Sequence, residues 1–319
     1  MQMNARFIST SIAGLFGLSV LTGCGGSSSS DDTLVAPVAT AFKLNFKAMS
    51  GSEEINCDTM LTGYGSDQSY SVGLSDLRFY VSNIKFYDQY DVEIEITLDE
   101  NEFQYQNAEG FVGLVDMTSN SSGSCQSDAI AFSEGTARTN TSITGTLFDT
   151  GVTKVTFDVG VPQGVMKDVI ATNSAEDAPS PLNEMYWSWA DGYRHFVMNF
   201  AIEDTNGIAG EGYLHIGSRG CGGDGLLALE GKDECDFVNT PKVELIDFDP
   251  AVNTVVIDVQ KVLNDVAFAS TNGTDAPAVS CHSAPSSTQV DCGPIFVNFG
   301  IDGDTGEATA SSNLTVSME

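Results

Sequence analysis

The chain has 319 residues and a formal net charge of −31, from 44 Asp plus Glu against 13 Lys plus Arg. A field of that sign repels nucleic acid and anionic lipid, so neither is expected as a partner, and solubility in a salty medium accounts for the excess. Helical repeats, coiled-coil heptads and long low-complexity stretches are absent.

At the start of the chain, Arg6 precedes an uncharged apolar run from Phe7 to Leu21, which closes on Leu21-Thr22-Gly23-Cys24. The run is too short to span a bilayer and its small residues suit cleavage, so residues 1–24 read as a signal peptide. A cysteine directly after Leu-Thr-Gly resembles the lipobox of bacterial lipoproteins, which implies acylation of Cys24 and membrane attachment through that lipid. Gly25 in place of Asp after the cysteine implies the outer membrane, with the protein facing the periplasm or the cell surface. Residues 25–40 begin Gly-Gly-Ser-Ser-Ser-Ser-Asp-Asp and read as a flexible tether, with an r.m.s. span of roughly 20–25 Å. Residues 41–319 are expected to form one domain, large for a single unit but within the range of a β-sandwich.

Strand signals dominate that domain. Phe42 to Lys47 alternates apolar and polar residues, the period of a half-buried strand. Leu77-Arg78-Phe79-Tyr80-Val81 runs on to Ile84 and Phe86 as a second strand, and Val155 to Val161 alternates until Pro162. Met185-Tyr186-Trp187-Ser188-Trp189 places both tryptophans of the chain on one face of an extended segment. In Tyr193 to Phe200 the residues Phe196, Met198 and Phe200 share an apolar face, which leaves His195 on the more polar one. Leu214 and Ile216 likewise turn His215 outward. Val243 to Phe248 and Thr254 to Val259 flank the turn dipeptide Asp249-Pro250, and a short helix is expected over 259–266. With turns rich in Gly, Ser and Asn between the strands, the expected class is all-β: an antiparallel β-sandwich with long loops stapled by disulfides.

Seven cysteines are present. With Cys24 assigned to lipid, Cys57, Cys125, Cys221, Cys235, Cys281 and Cys292 remain for three bridges in an oxidising compartment. Local spacing favours Cys221–Cys235 and Cys281–Cys292, which leaves Cys57–Cys125. No CxxC pair and no CxxCH occurs, which argues against a zinc ribbon and a c-type haem.

The three histidines are the remaining chemical signal. His195 and His215 sit at polar positions of strands, and His282 adjoins Cys281, whose bridge would hold it in place. Neutral imidazole is the commonest metal ligand, so these residues are candidate ligands. No Gly-x-Ser-x-Gly elbow supports nucleophilic catalysis. In Asp302-Gly303-Asp304-Thr305-Gly306-Glu307 the glycine falls too early for an EF-hand, so the segment reads as a turn. The glycine-rich stretch 220–225 lacks the lysine of a phosphate loop. No enzymatic activity is expected.

Several segments, in order, resemble one family: Leu77 to Asn83, Gly160-Val161-Pro162, Pro181-Leu182-Asn183 before the Trp187 and Trp189 pair, and Asp191-Gly192-Tyr193. His215-Ile216-Gly217-Ser218-Arg219-Gly220-Cys221, the Asn239 region, Asp247 to Pro250, and Cys281 to Cys292 followed by Gly293-Pro294-Ile295-Phe296 continue it. Together, over about Ala41 to Ile301, they resemble the MbnP-like "metallo-mystery pair, four-Cys motif" proteins. The resemblance implies a copper-binding protein outside the cytoplasm, partnered with a di-haem c-type cytochrome of the MauG or peroxidase type. That partner oxidises a tryptophan to kynurenine at the copper site; here the modified residue would be Trp187 or Trp189, with His215 a ligand. One departure stands out: the family often carries Leu-Asn-His after Gly-Val-Pro, whereas this chain reads Val165-Met166-Lys167-Asp168. Either the site is lost or it is rebuilt from His282, His195 or Met166, with His282 first because the family often carries a Met after the first cysteine of the last pair, where this chain has His282. A reading of another class is a surface β-sandwich binding module, an adhesin-like lipoprotein without metal.

Overall fold

The computed structural model describes residues 39–55, 59–65, 67–117, 139–149, 151–173, 177–188, 192–222, 234–268, 276–284, 288–309 and 313–319. They fall within one compact unit, Pro37–Glu319. The signal peptide, Cys24, nearly all of the tether, Cys57, Cys125 and Trp189 lie outside the described residues.

The chain opens with β1 (Thr40–Ser50), β2 (Glu53–Glu54), β3 (Met60–Tyr64) and the long β4 (Tyr70–Tyr87). Short strands follow: β5 (Glu93–Ile94), β6 (Ile96–Leu98), β7 (Gln104–Asn107), then β8 (Gly110–Asp116), β9 (Ser142–Leu147) and β10 (Lys154–Val159). Helix α1 (Gln163–Thr172) leads to β11 (Tyr186–Ser188), β12 (Gly192–Asp204) and β13 (Ala209–Gly217). The remainder is β14 (Lys242–Ile246), β15 (Thr254–Asp258), α2 (Val259–Val262), β16 (Ala278–Cys281), α3 (Cys292–Phe299) and β17 (Val316–Met318).

Two sheets form. One has the order β17-β15-β1-β9-β6; the larger runs β14-β10-β4-β12-β13-β16, with β3, β5, β7, β8 and β11 attached along it. They pack face to face because the period-two pattern sends one side of each strand inward. Phe42, Leu44 and Phe46 of β1 are buried, as are Phe79, Val81 and Phe86 of β4 and Val155 and Phe157 of β10. Their rings meet across the layers: Phe42 with Phe86 at 5.0 Å, and Phe46 with Phe79 at 5.6 Å and with Phe157 at 5.9 Å between centroids. Phe299 of α3 adds to this core, 4.9 Å from Phe196.

The sandwich differs from the sequence expectation in two pairings. Strands β1 and β15 run parallel, and so do β13 and β16. Each parallel pair joins strands far apart in the chain, a connection that no turn signal announces. The helix expected over 259–266 is confined to Val259–Val262, capped by the Asp258 side chain.

The larger sheet is also buried on its outer face. There Tyr80, Val112, Leu114 and Val197 pack with Val165, Met166, Val169 and Ile170 of α1 and with Leu182 and Met185. Two tyrosines hold this cover down. The Tyr80 hydroxyl lies 2.8 Å from the Pro181 carbonyl and 2.7 Å from that of Glu184, and Tyr193 donates to the Leu182 carbonyl at 2.6 Å. The chain rising from this anchored stretch is the one that carries Trp187.

Candidate metal centre

The parallel pairing of β13 with β16 sets Tyr213 opposite Ser280 and Leu214 opposite Cys281. One residue further on stand His215, within β13, and His282, just past the end of β16. Their Nδ1 atoms are 3.2 Å apart and the rings meet edge to face, with centroids at 4.9 Å. Ser283 locks the arrangement, since its hydroxyl donates to the His215 carbonyl at 2.9 Å and accepts from the Gly217 amide at 2.7 Å. The Cys281–Cys292 bridge ties the same turn to α3, and the His282 amide donates to Gln289 Oε1 at 2.7 Å.

Trp187 stands beside both imidazoles, 6.3 Å from the ring of His215 and 6.1 Å from that of His282. The Arg219 guanidinium covers the indole at 4.9 Å and donates to the His282 carbonyl at 3.2 Å. Tyr213 lies near both histidines and donates to Glu211 at 2.8 Å. On the sheet behind His215, the buried Arg78 grips Asp76 with two bonds, at 2.8 and 2.6 Å, and reaches Glu184 at 3.4 Å. That last bond links the β4 network to the segment leading into Trp187.

Electrostatics keep both imidazoles neutral. Burial, then Arg194, His282 and Arg78, depress His215 to about 3. Burial, then Arg219 and Arg194, lower His282 as well. Asp76, by contrast, is pushed up to about 6, because burial outweighs the pull of Arg78.

The other two candidate ligands lie elsewhere. His195 is fully buried, contrary to the polar, outward position its alternation suggests, because it is the extra residue of a bulge between Arg194 and Phe196 and packs against Gly160, Ser218 and Asn239. Its Nδ1–H donates to the Asn239 carbonyl at 3.1 Å, and the Ser218 hydroxyl donates to Nε2 at 3.1 Å, so both ring nitrogens are engaged. Burial depresses it to about 4 despite the Asn239 bond. Met166 is buried in the apolar cluster of α1, against Gly192 and Cys221.

Several motif residues find their reason here. Gly160, at φ +152°, lies under His195: a Cβ there would come within 2.8 Å of its Nδ1. Gly217 leaves room for the Tyr193 carbonyl, which a Cβ would meet at 2.3 Å. Asn239 donates to the Gly217 carbonyl at 2.8 Å, joining the His195 pocket to the end of β13. The Cys221–Cys235 bridge closes the loop that follows.

Asn199, Arg219, Tyr213 and Ser283 take part in the site but do not stand out as chemistry in the sequence. Only Asn199 carries a signal, as an amide between Met198 and Phe200 in an apolar strand. Among the described residues, no group of three or more His, Cys, Asp or Glu gathers as metal ligands. The pair nevertheless fits a first-row ion in type and spacing: two neutral imidazoles whose facing nitrogens lie near the separation expected when each is about 2 Å from a shared ion.

The MbnP family model matches residues 39–283. MbnP from Methylosinus trichosporium, a solved structure, has a TM-score of 0.66 at 22% identity, over 88% of this chain and 98% of that one. At that identity the likeness is one of fold. No curated protein sequence matches the chain. The family match begins one residue before β1 and ends one residue beyond His282, so it takes in Trp187, His195, His215 and His282: the chain belongs to the MbnP family.

Proposed function

We propose that this protein is a copper-binding lipoprotein of the cell envelope that holds its ion between His215 and His282 and serves copper acquisition, storage or sensing. The observation that carries the reading is the facing Nδ1 pair with the Trp187 indole against both rings. Family membership supports a role in copper handling in the general sense, and two neutral nitrogen donors suit copper in either oxidation state. Bound copper is the exchangeable cargo of the site; the chain's own residues supply the ligands, the cover and the neutral charge state.

Trp187 is proposed as the tryptophan converted to kynurenine by a di-haem c-type cytochrome, because its indole lies at the histidine pair and the product's carbonyl and amine would form there as further donors. Cys24 is proposed as the lipid anchor. Among the described residues no helix is long and apolar enough to cross a membrane. The protein has no catalytic role of its own in this scheme.

Copper loading of the purified mature protein tests the reading. One ion per chain is expected, lost in both His215→Ala and His282→Ala but retained in His195→Gln. Stoichiometry near zero, or retention in both alanine variants, would overturn it. After co-expression with the cytochrome, the peptide spanning 183–188 is expected to gain about 4 Da, the change from tryptophan to kynurenine. A gain on Trp189 alone would overturn the assignment to Trp187.

A further inference from the structure

Each neutral imidazole carries one proton and one lone pair, so a histidine ligates through whichever nitrogen is left bare. His215 has Nε2 turned to Asn199 Oδ1 at 2.8 Å and Nδ1 turned to His282. A carboxamide oxygen only accepts, so this contact holds the proton on Nε2 and leaves the Nδ1 lone pair facing His282. Asn199 of β12 is 1% exposed and pairs in register with Asp76 of β4, whose carboxylate favours the amide with its NH2 towards β4 and its oxygen towards His215.

We infer that Asn199 is the positioning residue of the centre: by accepting the Nε2 proton it makes Nδ1 the ligating atom of His215, so that only the His282 Nδ1–H, which that atom accepts in the metal-free protein, has to give way to an ion. This rests on the reading of His215 as a ligand. Without the amide, a proton on Nε2 would be buried with no acceptor, and the imidazole would move it to Nδ1, where it donates to His282. The lone pair that an ion needs would then be capped.

The chain has three histidines, so long-range 1H–15N correlations can assign each tautomer in the mature, metal-free protein at neutral pH. The wild type is expected to show His215 protonated at Nε2. In Asn199→Leu, with the same branching at Cγ but no polar atoms, His215 is expected to shift to the Nδ1–H form, and copper affinity by competition to fall about 10–100-fold, the usual effect of losing such a partner. A wild-type His215 protonated at Nδ1 overturns the inference without any variant. So does Asn199→Leu with the wild-type tautomer and affinity. If the tautomers behave as stated but the wild type takes up no copper, the copper reading fails and the tautomer assignment stands.

Discussion

Single side chains divide the three histidines into two kinds. His215 and His282 offer facing nitrogens at the end of β13, while His195 spends both of its own on Asn239 and Ser218. The sequence marks all three as polar residues of a β protein and holds no sign of which face is covered. Burial of His195 has a cost that pH exposes. Its folded value is about 4 against an ordinary 6.5, so between those limits the unfolded chain binds the extra proton. The stability it contributes is therefore complete above about pH 6.5 and drains away as pH falls towards 4, by on the order of 2–3 kcal/mol. Denaturant unfolding at pH 7 and pH 4.5 is expected to show a loss from this residue that His195→Gln reduces; an equal loss in the variant would refute the assignment.

At the scale of elements, the site exists because β13 and β16 are parallel neighbours with one register. Residues 215 and 282 are far apart in the chain, and their approach depends on the turn after β16 being held. The Cys281–Cys292 bridge does this from one side and Ser283 from the other. Replacing both cysteines by serine is expected to cost about 2–4 kcal/mol through the freed unfolded chain and to weaken copper loading at the same time. Calorimetry together with metal analysis checks it; lowered stability with undiminished copper would show that His282 does not need the bridge. The local spacing of these cysteines was legible in the sequence, as were β1, β4, β10, β14 and β15. The segments of α1 and α3 carry short apolar patterns that periodicity does not separate from strand.

Across the whole molecule, the larger sheet works as a wall with two loaded faces. One builds the sandwich core against β1 and its neighbours, and the other receives α1 and the stretch pinned by Tyr80 and Tyr193. Phe46 ties the layers through Phe79 and Phe157. Phe46→Ala is accordingly expected to cost about 3–5 kcal/mol in denaturant unfolding, and a loss below about 1 kcal/mol would contradict that packing. Alternation along each strand, turn residues between strands and the ordered motifs determined the class, the family resemblance and a short roster of candidate ligands, because these are properties of neighbours in the chain. Which histidines meet, which is walled in, and that Asn199 and Arg219 stand against the pair were decided only by tertiary structure. Sheet register, the parallel pairing of remote strands and the burial of a second sheet face come from packing between distant segments, and a one-residue slip of β16 against β13 would leave the same sequence without the pair.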